Sequence, residues 1–358
     1  MVGVNSRILM YDGTLKFAQD LVIGDKVMGP DSGPRIVTAI SLGESEMFEI
    51  QQSCAINYAV NNTHLLSLKK ASSSNFSESI MFIRNKRNKP YPNEPLINNI
   101  VIKDYIDKAN SWKYFFRGYT AGLINFTAQE VPVDPYYLGI WLGDGTSVST
   151  KITSADIEIE TWLMNFAEEL SFCLKKKKTT HSIAVDYTLI ERGKGKNRMY
   201  SKLKKLNLVR NKHIPQIYIS NSKDIRLKVL AGLLDTDGYY VKHGYDITLA
   251  NKTLAYDVKR LADSLGYRTN IREKKTTCQN KEFKGIAWRL TIYGNVQEIP
   301  VLIERKKYVH NGKRTHKEEG LSSLKVKSVG RGKSVGIEVD GDNLLCLADG
   351  TVLFNDKL

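Results

Sequence analysis

Two aspartates, each followed by a glycine and preceded by an apolar run, are the residues of this chain best suited to chemistry. Asp144-Gly145 ends the run that begins at Val133, and Asp237-Gly238 ends a similar run 93 positions later. Paired carboxylates hold divalent cations, which activate water and neutralise charge on a phosphate. The repeated pattern therefore predicts a metal-dependent site shared by Asp144 and Asp237.

Two helices must carry these aspartates. Gly139 in the first run matches Gly232 in the second, and small residues at matching positions let two helices pack closely around a pseudo-twofold axis. A carboxylate at the C-terminal end of a helix opposes the helix dipole, so a bound cation explains it better than helix capping does. Asp235 is a competing choice in the second copy, but Leu142 occupies the matching position in the first.

The segments after each aspartate also repeat, which predicts two halves, about 133–227 and 228–321. A short strand (151–156 and 246–251) precedes an amphipathic helix in each half. Basic, β-prone segments follow at 174–189 and 268–293. The pattern predicts an α+β domain over 133–321, in which two twisted antiparallel sheets form a concave basic surface wide enough for a duplex. The apolar stripes of the two amphipathic helices are interpreted as core: Ile159, Trp162, Phe166 and Leu170, and Leu254, Val258, Leu261 and Leu265.

The charge of the chain is concentrated in this part. The net charge is +15, and residues 136–320 hold 34 Lys and Arg against 20 Asp and Glu, whereas the remainder holds 19 against 18. A basic excess confined to one domain favours a polyanionic partner, with nucleic acid as the first choice.

The flanks have a different pattern. Residues 1–70 and those from about 322 onward contain short apolar segments separated by Gly, Pro and Asp turns, which predicts one all-β domain divided by an insertion. Its N-terminal part is placed at 1–132 and its C-terminal part at 322–358. Residues 71–98 are polar and basic, and both a surface loop and a DNA-contacting arm are consistent with them.

Four cysteines lack the spacing of a zinc site or a disulfide framework, and no segment has the pattern of a signal peptide or a membrane span. We expect a soluble intracellular protein in a reducing compartment. The sequence does not indicate where in the cell it acts.

The motifs resemble those of intein-encoded LAGLIDADG homing endonucleases. The twin motif resembles the paired signature of the endonuclease. Residues 8–13, 23–29 and 61–64 resemble the N-terminal blocks of the Hint fold of inteins, and residues 336–342 and 352–355 its C-terminal blocks. The resemblance implies two pseudo-symmetric αββαββα halves inserted in an all-β Hint domain.

This resemblance implies a monomeric enzyme that cuts both strands of a long, imperfectly palindromic DNA site and leaves short 3′ overhangs. Asp144 and Asp237 would hold Mg²⁺, with Mn²⁺ as a substitute. Each centre would add a basic residue: Lys212, which Ile214-Pro215 follow, and Lys307, with Lys306 as its rival. Candidates for DNA contact are the basic residues of the expected saddle strands: Lys175, Lys176, Lys177, Lys178, Arg192, Lys194, Lys196, Arg198, Lys242, Arg272, Lys274, Lys275, Lys281, Lys284 and Arg289.

The resemblance also identifies the positions of protein splicing. Asn61, Thr63 and His64 would act on the N-terminal scissile peptide, and Asn355 would cyclise. Met1 stands where the family has a Cys or Ser nucleophile, and Asp356 stands where it needs Cys, Ser or Thr. We therefore expect an intein that does not splice and serves as a nuclease.

Two other interpretations remain at this stage. Relatives of the twin-helix fold act as RNA-binding maturases, although Hint flanks speak against that function. A processing module with a decayed nuclease is the second, although Asp144 and Asp237 are both present.

Overall fold

The computed structural model describes residues 1–71, 95–178, 183–193, 195–241, 244–277, 284–309 and 320–355. They form two compact units. The flanking unit comprises Met1–Ile124, Gly266–Arg268 and Gly312–Leu358, and the central unit comprises Asn125–Leu265 and Thr269–Asn311. Most of the 71–98 segment lies outside the described residues.

The strands of the described residues are β1 (Val2–Gly3), β2 (Arg7–Leu9), β3 (Leu15–Phe17), β4 (Lys26–Met28), β5 (Pro34–Gln52), β6 (Tyr58–Asn61), β7 (Leu65–Lys70), β8 (Ile97–Val101), β9 (Phe116–Tyr119), β10 (Lys151–Ser154), β11 (Phe172–Lys178), β12 (Val185–Glu191), β13 (Gly238–Val241), β14 (Gly244–Leu249), β15 (Arg268–Thr277), β16 (Lys284–Tyr293), β17 (Leu321–Ser322), β18 (Leu324–Val339), β19 (Leu344–Cys346) and β20 (Val352–Phe354). The helices are α1 (Ile102–Asp107), α2 (Asn110–Phe115), α3 (Pro135–Asp144), α4 (Ile157–Glu169), α5 (Arg198–Lys205), α6 (Gln216–Ile219), α7 (Lys223–Asp237) and α8 (Lys252–Ser264). Short 3₁₀ turns occur at Ala18–Asp20, Val296–Glu298 and Glu304–Lys306.

Both ends of the chain build the flanking unit. Strand β18 pairs along its length with β5, and β1 lies between β18 and β6 in a five-stranded sheet of order β18-β1-β6-β5-β4. A second sheet has the order β17-β9-β7-β8. Buried side chains from both ends share one core, for example Val2 and Ile50 with Ile337 and Leu345. The prediction of one β domain divided by an insertion is confirmed.

The central unit consists of two halves that repeat a helix-and-sheet plan. In the first half, α3 and α4 accompany a three-stranded sheet of order β10-β12-β11. In the second, α7 and α8 accompany a four-stranded sheet of order β13-β14-β16-β15. The predicted apolar stripes of α4 and α8 are largely buried, and Trp162 stacks on Phe166 with ring centroids 4.7 Å apart. The α+β fold class is confirmed.

The halves differ in one strand. Gly238 begins β13, which continues through Tyr239, Tyr240 and Val241, residues that favour extended structure. The matching Gly145 forms only an isolated bridge with Ile152, because the Ser- and Thr-rich segment 146–150 makes a turn there. The first half thus departs from the αββαββα pattern by one strand among the described residues.

Candidate active site

Glycine-to-glycine packing brings the ends of α3 and α7 together. A Cβ added to Gly139 would lie 2.8 Å from the Cα of Gly232, and one added to Gly232 would lie 2.9 Å from the Cα of Gly139. Such distances leave no room for any larger residue at either position. The predicted close helix pair is therefore present, and it brings the C-terminal residues of α3 and α7, Asp144 and Asp237, close to each other.

Glycine after each aspartate lets the chain turn sharply out of the helix. The amide of Gly145 donates to the Trp141 carbonyl, and the amide of Gly238 donates to the Leu234 carbonyl. A Cβ on Gly238 would lie 2.7 Å from the Cα of Leu234, so a side chain does not fit there. Glycine is required at both positions because the chain passes close to the preceding helical turn, and not because the backbone is left-handed.

The environment of the helix ends raises the pKa of both aspartates. Desolvation at the helix ends and the nearby Asp237 carboxylate raise the pKa of Asp144 to about 6. Desolvation also raises the pKa of Asp237, while Lys212 and Lys306 oppose that rise. Both aspartates keep exposed surface. Repulsion between two neighbouring carboxylates disfavours their simultaneous ionisation, and a divalent cation bound between them would remove that repulsion.

Lys212 lies at the end of α3. Its Nζ donates to the Gly143 carbonyl over 2.9 Å and lies 5.5 Å from the centroid of the Trp141 ring. Burial lowers the pKa of Lys212, and Asp237 and Asp144 counteract that effect. The sequence-predicted lysine of the first half is thus brought to the aspartate pair.

In the second half, Lys306 rather than Lys307 occupies the matching place. Lys306 is buried, and its Nζ donates to the carbonyls of Leu234, Asp235 and Thr236 at distances of 2.7–3.0 Å. Thr236 precedes Asp237 as Gly143 precedes Asp144, so the two lysines make equivalent contacts. Lys307 is exposed and pairs with Glu304 over 2.6 Å. Our choice of Lys307 is therefore replaced by its rival, because the 3₁₀ turn at Glu304–Lys306 directs Lys306 inward.

A sequence signal for Lys306 exists. Lys212 follows Asp144 by 68 positions, and Lys306 follows Asp237 by 69, against 70 for Lys307. Spacing within the repeat therefore favours Lys306 slightly.

Asp235, the competing aspartate, serves the architecture. Its carboxylate accepts hydrogen bonds from the Tyr136 hydroxyl over 2.8 Å and from the amides of Leu302 and Ile303. Only 2% of its surface is exposed. A buried acid with these partners holds the segment that leads to Lys306 and is not available to a ligand.

The candidate DNA-contacting residues fall into three groups. Lys175, Lys177, Lys178, Lys196, Arg272, Lys274 and Lys275 are exposed, most of them on β11 and β15, the strands at one end of each sheet order. Four others have protein partners: Lys176 binds Glu160, Arg198 binds Glu191, Arg289 binds Asp246, and Arg192 binds the Phe172 carbonyl. Lys194, Lys242 and Lys281 and the side chain of Lys284 lie outside the described residues.

Four of the splicing positions, Met1, Asn61, Thr63 and His64, lie together in the flanking unit. The amino group of Met1 donates to Asn61 Oδ1 over 3.1 Å and lies 3.5 Å from His64 Nδ1, while Asn61 Nδ2 donates to the Thr63 hydroxyl. Burial lowers the pKa of His64 well below its ordinary value. Asn355 is buried, and its backbone amide donates to the Asn343 carbonyl over 2.8 Å. Asp356 lies outside the described residues.

Two carboxylates and two lysines thus make up the candidate active site. No group of three or more His, Cys, Asp and Glu side chains that could hold a metal occurs among the described residues. The donor set nevertheless fits a hard divalent cation, because two anionic oxygen ligands leave the remaining positions to water and phosphate oxygens. None of the described helices combines the length and apolar content needed to cross a bilayer.

Comparison with known proteins agrees with this architecture. Residues 3–91 match the family described as Hom_end-associated Hint, and residues 224–298 match the LAGLIDADG-like domain. The replicative DNA helicase DnaB of Mycobacterium intracellulare is 28% identical over 308 residues, which are 84% of this chain and 46% of that protein. The chain thus spans less than half the length of this curated relative.

Solved structures show weaker similarities. Mesophilic variants of the homing endonuclease I-DmoI align with a TM-score of 0.33 and 18% identity, over 46% of this chain and 90% of theirs. Variants of I-DmoI have been solved in complex with their target DNA in the presence of Mn or of Mg. The MchDnaB-1 intein aligns with a TM-score of 0.18 and 20% identity, over 19% of this chain and 53% of its own.

A Hint domain and a LAGLIDADG-like domain therefore occur in one polypeptide, with the first divided around the second. The two matched domains and their divided order are those that the resemblance to intein-encoded LAGLIDADG homing endonucleases implies.

Proposed function

We propose that this chain is a site-specific double-strand DNA endonuclease whose active centres are Asp144 with Lys212 and Asp237 with Lys306. The observation that carries the proposal is the pair of carboxylates at adjoining helix ends, each with a lysine bound to the carbonyl of the preceding residue. One such centre in each half matches the two strands of a duplex.

The chemistry follows from the charges at the site. Asp144 and Asp237 would hold Mg²⁺, or Mn²⁺ in its place. A cation held there would activate water and neutralise the leaving oxygen. Lys212 and Lys306 each place an ammonium group where negative charge develops on the attacked phosphate, and each can orient a water molecule toward it.

Substrate binding is assigned to the basic strands. The exposed basic residues of β11 and β15 can bind phosphates: Lys175, Lys177 and Lys178 on β11, and Arg272, Lys274 and Lys275 on β15. Only a minority of such contacts has to reach base edges to read the sequence. Because the exposed side chains of β11 and β15 differ, the two half-sites of the DNA would differ in sequence. We propose a monomer acting on a long asymmetric site and leaving short 3′ overhangs.

The test uses a randomised DNA library in a plasmid, incubated with the protein in Mg²⁺ or in EDTA. Linearised plasmids with a common sequence, present only with Mg²⁺, are expected. Asp144→Asn should not linearise these plasmids, and Asp224→Asn is its matched control, because Asp224 lies on the exposed face of α7 and pairs with Lys228. Absence of DNA cleavage together with Mg²⁺-independent binding of structured RNA would favour a maturase instead.

We also propose that the chain does not splice. The position beside Asn61 and His64 holds Met1, whose thioether cannot attack a carbonyl. A fusion with an upstream partner protein should therefore release no partner on treatment with a thiol, whereas Met1→Cys should restore release. Equal release from both fusions, measured by intact mass, would contradict this account.

A further inference from the structure

The two segments that carry the active-site lysines are each bound by the opposite half of the central unit. We call residues 211–215 the first lysine loop and residues 302–306 the second lysine loop. Lys212 belongs to the first half, yet Asn251 Nδ2 of the second half donates to its carbonyl over 2.9 Å. The amide of Ile214 donates to Asp257 Oδ2, also of the second half, over 3.0 Å. Asn251 caps α8 and Asp257 lies within it.

The second lysine loop, which belongs to the second half, is bound in the same way by residues of the first half. Arg305 binds Asp156 of the first half through distances of 2.6 and 2.9 Å to the two carboxylate oxygens. The amide of Glu304 donates to Glu158 Oε1 over 3.0 Å. Asp156 precedes α4 and Glu158 lies in its first turn, as Asn251 and Asp257 belong to α8.

The lysine side chains return to their own halves. Lys212 Nζ binds the carbonyl of Gly143 in the first half, and Lys306 Nζ binds three carbonyls at the end of α7 in the second. The ammonium group of each lysine is therefore held by the helix end of its own half. The loop that carries the lysine is held by the opposite half. The second lysine loop has additional contacts within its own half. The Leu302 amide donates to the Asp235 carboxylate, and the Tyr245 hydroxyl donates to the Lys306 carbonyl.

We propose that Asn251 and Asp257 are positioning residues for the centre that contains Lys212, and that Asp156 and Glu158 are positioning residues for the centre that contains Lys306. This inference rests on the proposed endonuclease function. It means that each centre is completed by the half that forms the other centre, so that neither strand is cut efficiently unless both halves are folded. Substitution of one pair of positioning residues should therefore slow cleavage of one strand only, so that the enzyme acts largely as a nickase.

The test is strand-resolved cleavage of a duplex that carries the selected site, with each strand labelled separately and Mg²⁺ present. Asn251→Ser keeps an oxygen to cap α8 without adding charge, but it removes the Nδ2 group, so the hydrogen bond to the Lys212 carbonyl is lost. A matched control is Asn197→Ser, because Asn197 caps α5 in the same way and its Nδ2 donates to the Leu189 carbonyl instead. Binding of the duplex in EDTA and the thermal midpoint are measured for both variants.

Asn251→Ser should slow cleavage of one strand by roughly tenfold or more, because small displacements of a catalytic group are costly. The other strand, duplex binding and the Asn197→Ser control should remain near wild type, so nicked DNA accumulates. Asp257→Ala should slow the same strand, and Asp257→Asn, which keeps an acceptor for the Ile214 amide, should restore most of the rate.

Asp156→Asn should slow the opposite strand, by a smaller factor because the second lysine loop has its own-half contacts. If Asn251→Ser and Asp257→Ala slow both strands equally, or neither strand, the inference is overturned while the endonuclease proposal stands. If the wild-type protein cuts neither strand, it is the proposed function that fails.

Discussion

At the scale of single residues, the aspartate pair is a feature that weakens the fold. Asp144 has its pKa raised to about 6, with Asp237, Lys212, Lys306 and Asp156 as its charged neighbours. An unfolded aspartate titrates near 3.9. The folded protein therefore holds more protons than the unfolded one between these values, and its stability falls as the pH rises from about 4 through about 6.

Removal of this charge should accordingly stabilise the metal-free protein. We predict that Asp144→Asn raises the thermal midpoint in EDTA at neutral pH and that the gain disappears near pH 4. Differential scanning calorimetry across this pH range measures the effect, with Asp224→Asn as the control. A gain that is independent of pH would mean that charge at Asp144 is not its cause.

The two neighbouring lysines allow a direct comparison. Lys306→Met should lower the cleavage rate by about 10²–10³-fold, the usual cost of removing a preorganised group that faces developing charge. Lys307→Met should remain close to wild type, because an exposed ion pair contributes little. Initial rates on the selected site are compared with thermal midpoints. If the loss of rate is no larger than the loss of folded protein, Lys306 only caps the end of α7 and has no role in catalysis.

Sequence patterns located most of this site because its chemistry is repeated. Asp144 and Asp237 follow matching helices, and Lys212 is followed by Ile-Pro in a recognisable motif. The choice between Lys306 and Lys307 could not be made in that way, since Lys306 ends a 3₁₀ turn and Lys307 follows it in extended conformation, so their side chains point in different directions. The contacts of Asn251 and Asp257 were also out of reach, because they join segments 39 and 43 positions apart.

At the scale of elements, the contact of Gly139 with Gly232 decides how closely α3 and α7 approach. We predict that Gly232→Ala lowers the free energy of unfolding by about 1–3 kcal/mol, as expected for overpacking. It should also lower cleavage, because the helix ends that carry Asp144 and Asp237 separate. Urea denaturation provides the measurement.

Gly195→Ala is the control for this substitution, since nothing lies within 4 Å of a Cβ added at Gly195. Equal stability of Gly232→Ala and Gly195→Ala would show that the helix contact tolerates a methyl group and would contradict the packing account.

Hydrophobic periodicity predicted the amphipathic helices α4 and α8, whereas the strands were predicted less completely. The buried stripes of α4 and α8 follow from a 3.6-residue repeat. The repeat between the halves suggested equal sheets, yet the residues after Gly145 are Ser and Thr where those after Gly238 are Tyr and Val. Local side-chain preference therefore ended the first strand at a single bridge.

At the scale of the whole chain, the flanking unit depends on segments far apart in sequence. Ile337 pairs with Ile40, and Val335 pairs with both Val2 and Leu42. Turn signals and short apolar segments predicted strands at both ends, and the similarity of the two ends suggested one domain. The register of β5 against β18 could not be read from either segment alone, because many registers of two alternating strands bury similar surfaces.

The most direct test of the account is cleavage of the selected DNA site by Asp144→Asn and Asp237→Asn in Mg²⁺, with duplex binding measured in parallel. Both carboxylates are assigned to the metal, so each substitution should abolish double-strand cleavage while binding and folding persist. Retained double-strand cleavage in both variants would contradict the assignment of these aspartates.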